Sequence, residues 1–161
     1  MNLDKYASLA FFNGLGTADL RLLEPFFAPR NWVAGTVIFE QGDYADYLYL
    51  VAKGEVTLRY RPDDGPAITV TRVQPGGIFG WSAALGNPSY TSQASCSLDS
   101  EVLCIRGTDL RMLCEKHAEL GNVILARLTA VVAERKRNQQ VQVSAMLANG
   151  IRQQPAGEEQ K

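Results

Sequence analysis

The stretch GIFGWSAALGNPSYTSQASC, Gly77 to Cys96, contains no Asp, Glu, Lys, Arg or His. Gly, Ala and Ser dominate it, and small residues at that density let a backbone approach another group closely. Two aromatics stand among them, Trp81 and Tyr90. Each presents a flat face and one polar hydrogen, the indole N–H or the phenol O–H. The available chemistry is therefore stacking and hydrogen bonding on a flat ligand. The competing reading is that both rings fill the gap and close it, and the sequence favours this second reading.

Other chemistries lack their residues. The one histidine, His117, sits beside Lys116 and Glu119 and reads as a surface residue near a helix end. A metal centre needs several His, Cys or carboxylate ligands converging, so no metal and no cofactor are expected. No nucleophile–base pair can be placed, so no enzyme is expected. The three cysteines, Cys96, Cys104 and Cys114, are odd in number and form no CxxC. They read as buried thiols in a reducing, cytoplasmic setting. A net charge of −1 over 161 residues gives no bulk grip on nucleic acid or on an anionic membrane. No apolar run reaches membrane-spanning length. The start, MNLDKYASLAFFNGLG, has no basic region followed by a long apolar run, so it does not read as a signal peptide.

The elements that position the uncharged stretch show in the periodicity. LDKYASLAFF and TADLRLLEPFF read as two short helices, the second with Thr17 as N-cap and Asp19 in its first turn. From Trp32 the period becomes two. GTVIFEQGD holds a strand ending in a Gly-Asp turn. DYLYLVAKGEVTLRYR reads as two strands joined near AKGE, with Val56, Leu58 and Tyr60 on one face. PDDG is a hairpin turn, PAITVTRV the return strand and EVLCIRG the last β segment. Short strands at this spacing give a sandwich, roll or barrel. The chain then turns helical, with Thr108 as the N-cap of DLRMLCEKH and a longer helix from about Glu119. On that helix Leu120, Ile124, Leu128 and Val131 form an apolar stripe. Arg135, Lys136 and Arg137 suit its C-terminal end as solvated charges. The remainder, residues 138–161, reads as a polar, partly disordered tail.

Two helices, a β-roll and a long closing helix, in that order, resemble the cyclic-nucleotide-binding domain family. VIFEQGDYADYLYLVAKGEVTL looks like the family's first motif, with Gly42-Asp43 and Gly54 at turns and Tyr49 and Val51 pointing into the roll. PGGIFG resembles the run into the family's phosphate-binding cassette. The resemblance covers about Leu9 to Arg137. It implies a mainly β fold, a jelly-roll-like β-roll (double-stranded β-helix), flanked by N-terminal helices and a long C-terminal helix. Residues 1–137 then form one domain.

The resemblance also implies a ligand cup. Phe79, Gly80, Trp81, Ser82, Ala83, Ala84, Tyr90, Thr91 and Ser92 would form it, with backbone N–H groups holding a cyclic phosphate. The resemblance places the family's glutamate, which takes the ribose, on Trp81, and its arginine, which pairs with the phosphate, on Tyr90, or on Ser89 if the loop is shifted by one residue; neither register offers a basic group. Neither replacement can play the same part. A phenol titrates near 10 and is neutral at pH 7. Arg59, Arg61 and Arg72 are the candidate substitutes, and alternation alone does not say which way they point.

The expected function is a stand-alone regulatory or sensory module of this fold that does not bind cyclic AMP in the usual way. The alternative is a genuine cyclic-nucleotide or other small-ligand receptor using atypical contacts. The family's transcription factors carry a winged helix after the long helix, and no helical pattern of that size follows here. A homodimer through Leu120, Ile124, Leu128 and Val131 is the expected assembly, the other possibility being that the stripe docks on its own roll. A further protein partner is left open.

Overall fold

The computed structural model describes residues 1–153. Eight strands form two antiparallel sheets of four. They are β1 (Ala28–Trp32), β2 (Val37–Phe39), β3 (Tyr47–Lys53), β4 (Val56–Tyr60), β5 (Ile68–Val73), β6 (Ile78–Phe79), β7 (Gln93–Cys96) and β8 (Ser100–Arg106). The sheet orders are β1-β8-β3-β6 and β2-β7-β4-β5. The helices are α1 (Thr17–Leu23), α2 (Trp81–Leu85), α3 (Gly107–Lys116) and α4 (Ala118–Gln153), with short 3-10 turns before and after α1.

The roll follows from strands whose two faces are both apolar. In β3, Leu48 and Leu50 face the helices, while Tyr49 and Val51 face the inside of the roll. Alternation sends neighbours to opposite faces, so a strand buried on both sides must be apolar throughout, as YLYLVA is. Two cores result. The outer one packs Leu48, Leu50, Leu103 and Ile105 against Phe12, Leu23, Leu110 and Ile124. The inner one gathers Phe39, Tyr49, Val56, Leu58, Phe79, Tyr90 and Val102.

Several expectations change. The sheet begins at Ala28, ahead of the change of period at Trp32. Strand β1 carries Pro29 and polar residues, and only its pairing with β8 makes it a strand. The N-cap of α1 is Gly16, whose N–H donates to the Asp19 carboxylate at 3.2 Å, and Thr17 lies inside the helix. Likewise α3 starts at Gly107, one residue before the expected cap at Thr108. A Cβ on Gly107 would sit 2.0 Å from the Ala83 carbonyl oxygen, so the start of α3 packs backbone to backbone on α2. Helix α4 runs on to Gln153, past Arg137, where the sequence suggested a tail. Gln, Ala, Met and Leu are good helix formers, and no proline interrupts the run before Gln153. The disorder expected further on falls on residues 154–161, outside the described residues.

The stripe on α4 is a correction of larger consequence. Leu120, Ile124 and Leu128 are buried in the outer core with the N-terminal segment, and Val131 packs against that core. Burying each large aliphatic side chain contributes roughly 1.5–3 kcal/mol. The stripe therefore docks on its own domain, the alternative to the expected dimer contact, with Val131 left partly buried at its end.

Candidate functional site

Strand β6 delivers the chain into the cassette. Gly80 caps α2 with φ +76°, a left-handed conformation that L side chains rarely adopt. Space is short there as well: a Cβ would lie 2.9 Å from the Tyr47 carbonyl oxygen and 3.3 Å from the Tyr90 ring. Ser82, Ala83 and Ala84 are buried, so the small residues serve close packing of α2 against the roll and α3. Arg111 on α3 donates to the Ala83 carbonyl and ties the two helices further.

Tyr90 belongs to the inner core. It is 5% exposed, and its ring stacks on Phe39 with centroids 3.6 Å apart. Its hydroxyl donates to the Tyr47 carbonyl at 2.7 Å and accepts from the Tyr47 N–H at 3.0 Å. Its own backbone is held by Gly42 and Asp43, through Gly42 N–H to Tyr90 O at 2.8 Å and Tyr90 N–H to Asp43 O at 2.9 Å. Burial pushes its phenol up, partly opposed by the Tyr47 backbone bond, so the group stays neutral. Phe79 is fully buried and stacks on Tyr49 at 4.9 Å.

Trp81 behaves differently. It is half-buried and lines a cleft of about 480 Å³ between the roll and α4. Tyr60 and Pro62 from the end of β4, Thr91 from the cassette loop, and Arg135 and Gln140 from α4 complete the walls. The reading that both aromatics fill the pocket thus divides: Tyr90 fills, and Trp81 walls an open cleft. Of the cassette residues named from sequence, Trp81 and Thr91 line this cleft. Phe79, Gly80, Ser82, Ala83, Ala84 and Tyr90 are buried and Ser92 is half-buried, and none of them lines it.

The candidate substitute cations are elsewhere. Arg59 and Arg61 are exposed on a separate hollow with Glu40, Gln41 and Gln93, and Arg72 is exposed on β5. Sequence reasoning missed the cation that does reach the cleft. Arg135, read as a solvated helix end, turns inward, and its Nη2 donates to the Ile78 carbonyl. Burial pulls its guanidinium down to about 10, with the Glu134 carboxylate partly offsetting this. Lys136 is exposed at the cleft, and no carboxylate is among the residues that line it. Among the described residues there is no group of three His, Cys, Asp or Glu able to hold a metal ion. None of their helices is long and apolar enough to cross a membrane.

A β-roll with a cassette helix in its wall and a long helix across its mouth defines a ligand-sensing class of domain. The family described as the cyclic nucleotide-binding domain matches residues 29–117, and the chain belongs to this family. It is 28% identical over 135 residues to the cyclic AMP receptor protein of Thermus thermophilus, covering 84% of this chain and 61% of that one. It is 26% identical over 125 residues to a potassium channel protein of Rhodopseudomonas palustris, covering 77% of this chain and 30% of that one. The chain thus spans less than two thirds of the length of either curated relative. Among solved structures, it is similar to a cyclic nucleotide-binding protein of Geobacter metallireducens, with TM-score 0.72 and 30% identity. That match covers 84% of this chain and 98% of the other.

Proposed function

We propose that this chain is a regulatory, non-catalytic sensory module whose cassette does not hold cyclic AMP in its family's usual way. The observation that supports this most is Tyr90. At the position of the phosphate-pairing arginine stands a neutral ring committed to the inner core, its hydroxyl occupied by the Tyr47 backbone. The glutamate position holds Trp81, which offers a donor where the ribose needs an acceptor. Losing two charge-assisted contacts removes about 3–6 kcal/mol. That is on the order of a hundred- to ten-thousand-fold in affinity. Calorimetric titration with cyclic AMP and cyclic GMP is expected to show no binding up to about 100 µM ligand. Micromolar binding of either would overturn this reading. The alternative of a receptor with atypical contacts is favoured by one feature, the inward-turned Arg135.

The assembly we propose is a homodimer through the outward side of α4, in a cytoplasmic setting that suits three unpaired thiols. Leu125 is 56% exposed, and Val132 stands seven residues along the same face. Leu125→Asp is expected to convert a dimer to a monomer in sedimentation equilibrium while keeping a cooperative thermal melt, since Leu125 lies outside the buried core. A native monomer at high concentration would exclude this dimer.

A further inference from the structure

Nη1 of Arg135 is buried and meets no hydrogen-bond partner among the described residues. Its sister Nη2 is held by the Ile78 carbonyl, and Arg135 is among the residues that line the cleft, so a small turn of the side chain brings the unpaired donor to a guest there. Buried donors on charged groups are rarely left unmade, because they lose water and gain nothing in exchange. The cleft beside it, about 480 Å³, is the size of an ordinary small-molecule site. Its walls are largely rings and apolar surface, from Trp81, Tyr60 and Pro62, while Arg135 and Lys136 give it positive charge. A flat ligand can stack on such walls, and a guanidinium fork matches the geometry of an oxyanion.

We propose that Arg135 supplies from α4 the cation that the cassette lacks, and that the cleft binds a small oxyanion, phosphate or carboxylate, carried on a flat aromatic ring. This rests on the reading that the cassette does not itself hold the anion. The anion's place is thereby moved from the loop to the helix. Trp81 becomes a stacking wall in place of a lost ribose acceptor, and Thr91 and Gln140 remain as neutral hydrogen-bonding groups at the rim.

The probes are 1-naphthyl phosphate, 1-naphthoate, the neutral 1-naphthalenemethanol and inorganic phosphate, titrated calorimetrically into the full chain and into Arg135→Gln and Arg135→Lys. At least one aromatic anion is expected to bind at least tenfold more tightly than the neutral probe and than inorganic phosphate. The two anions separate phosphate from carboxylate. Arg135→Gln should weaken the anion about tenfold or more and leave the neutral probe unchanged, and Arg135→Lys should recover part of the loss. Thermal melts of both variants confirm folding, so a lost signal cannot be put down to unfolding. Equal affinity for charged and neutral probes, no binding of either anion, or an Arg135→Gln variant that binds as before would overturn the proposal. Cyclic AMP in the same series keeps the two readings apart. Micromolar binding insensitive to Arg135→Gln overturns both this proposal and the reading of the cassette. Micromolar binding lost in Arg135→Gln upholds this proposal and replaces the non-binding module with its alternative, a receptor that holds cyclic AMP by atypical contacts.

Discussion

Tyr90→Arg is expected to cost the domain about 3–5 kcal/mol and to leave cyclic AMP unbound, although it restores the residue type of the family's cassette. The estimate is that of an uncompensated charge placed in a packed interior. The substitution removes the stack on Phe39 and strips both partners from the Tyr47 backbone N–H and carbonyl. It also sets a guanidinium among Phe39, Tyr49 and Phe79. Tyr90→Phe separates the causes, because it keeps the ring and loses only the hydroxyl bonds, at about 1–2 kcal/mol. Denaturant midpoints should rank wild type, then Tyr90→Phe, then Tyr90→Arg. Adding Trp81→Glu should not rescue the arginine variant. A stable Trp81→Glu/Tyr90→Arg protein that binds cyclic AMP would show that Tyr90 occupies a site still able to open.

Arg135→Met is expected to stabilise the empty protein at neutral pH. Burial pulls the Arg135 guanidinium down to about 10 from its usual 12.5. Between those values the unfolded chain binds more protons than the folded one, so stability rises with pH across that window. Below about pH 10 the cost of the buried charge is present in full, roughly 3 kcal/mol. Methionine removes that cost but leaves the Ile78 carbonyl without its donor, at about 1 kcal/mol. The net gain is about 1–2 kcal/mol, a rise of a few degrees in melting temperature. The advantage over wild type should shrink as the pH is raised past 10. A variant less stable than wild type at pH 7 would mean that Arg135 is already satisfied in the empty protein. The two substitutions move stability in opposite directions, one by adding a charge to an apolar core, the other by removing a charge from a largely buried position on α4.

Sequence carried the architecture because the roll rests on local signals. The double-sided apolar run at Tyr47–Ala52, the Gly-Asp turn at Gly42 and the PDDG hairpin each act over a few residues. Strand β1 was hidden because its order comes from β8, some seventy residues away in the chain. The end of α4 was misjudged because a cluster of basic residues suits a helix terminus without requiring one. The site was legible by position and illegible by occupancy. Trp81 and Tyr90 were identifiable as replacements, yet one became wall and the other core, a difference set by Phe39 and Tyr47. Arg135 carried no local mark at all. Its inward turn depends on where α4 crosses β6, and a long flexible side chain with a charge looks the same in sequence whether it points to water or to Ile78.

Gly107 set against the Ala83 carbonyl has a mechanical meaning. Layers of side chains are compliant, since rotamers shift and absorb small displacements. Main chain resting on main chain has no such cushion. A guest that pushes α2 by a fraction of an ångström must carry the start of α3 with it. Helix α3 passes almost directly into α4, from which Arg135 reaches back to the same cleft. Wall, strut and lid thus form one closed linkage. By thermodynamic reciprocity, whatever grips α4 from outside must retune the cleft by the same free energy with which a guest in the cleft repositions α4.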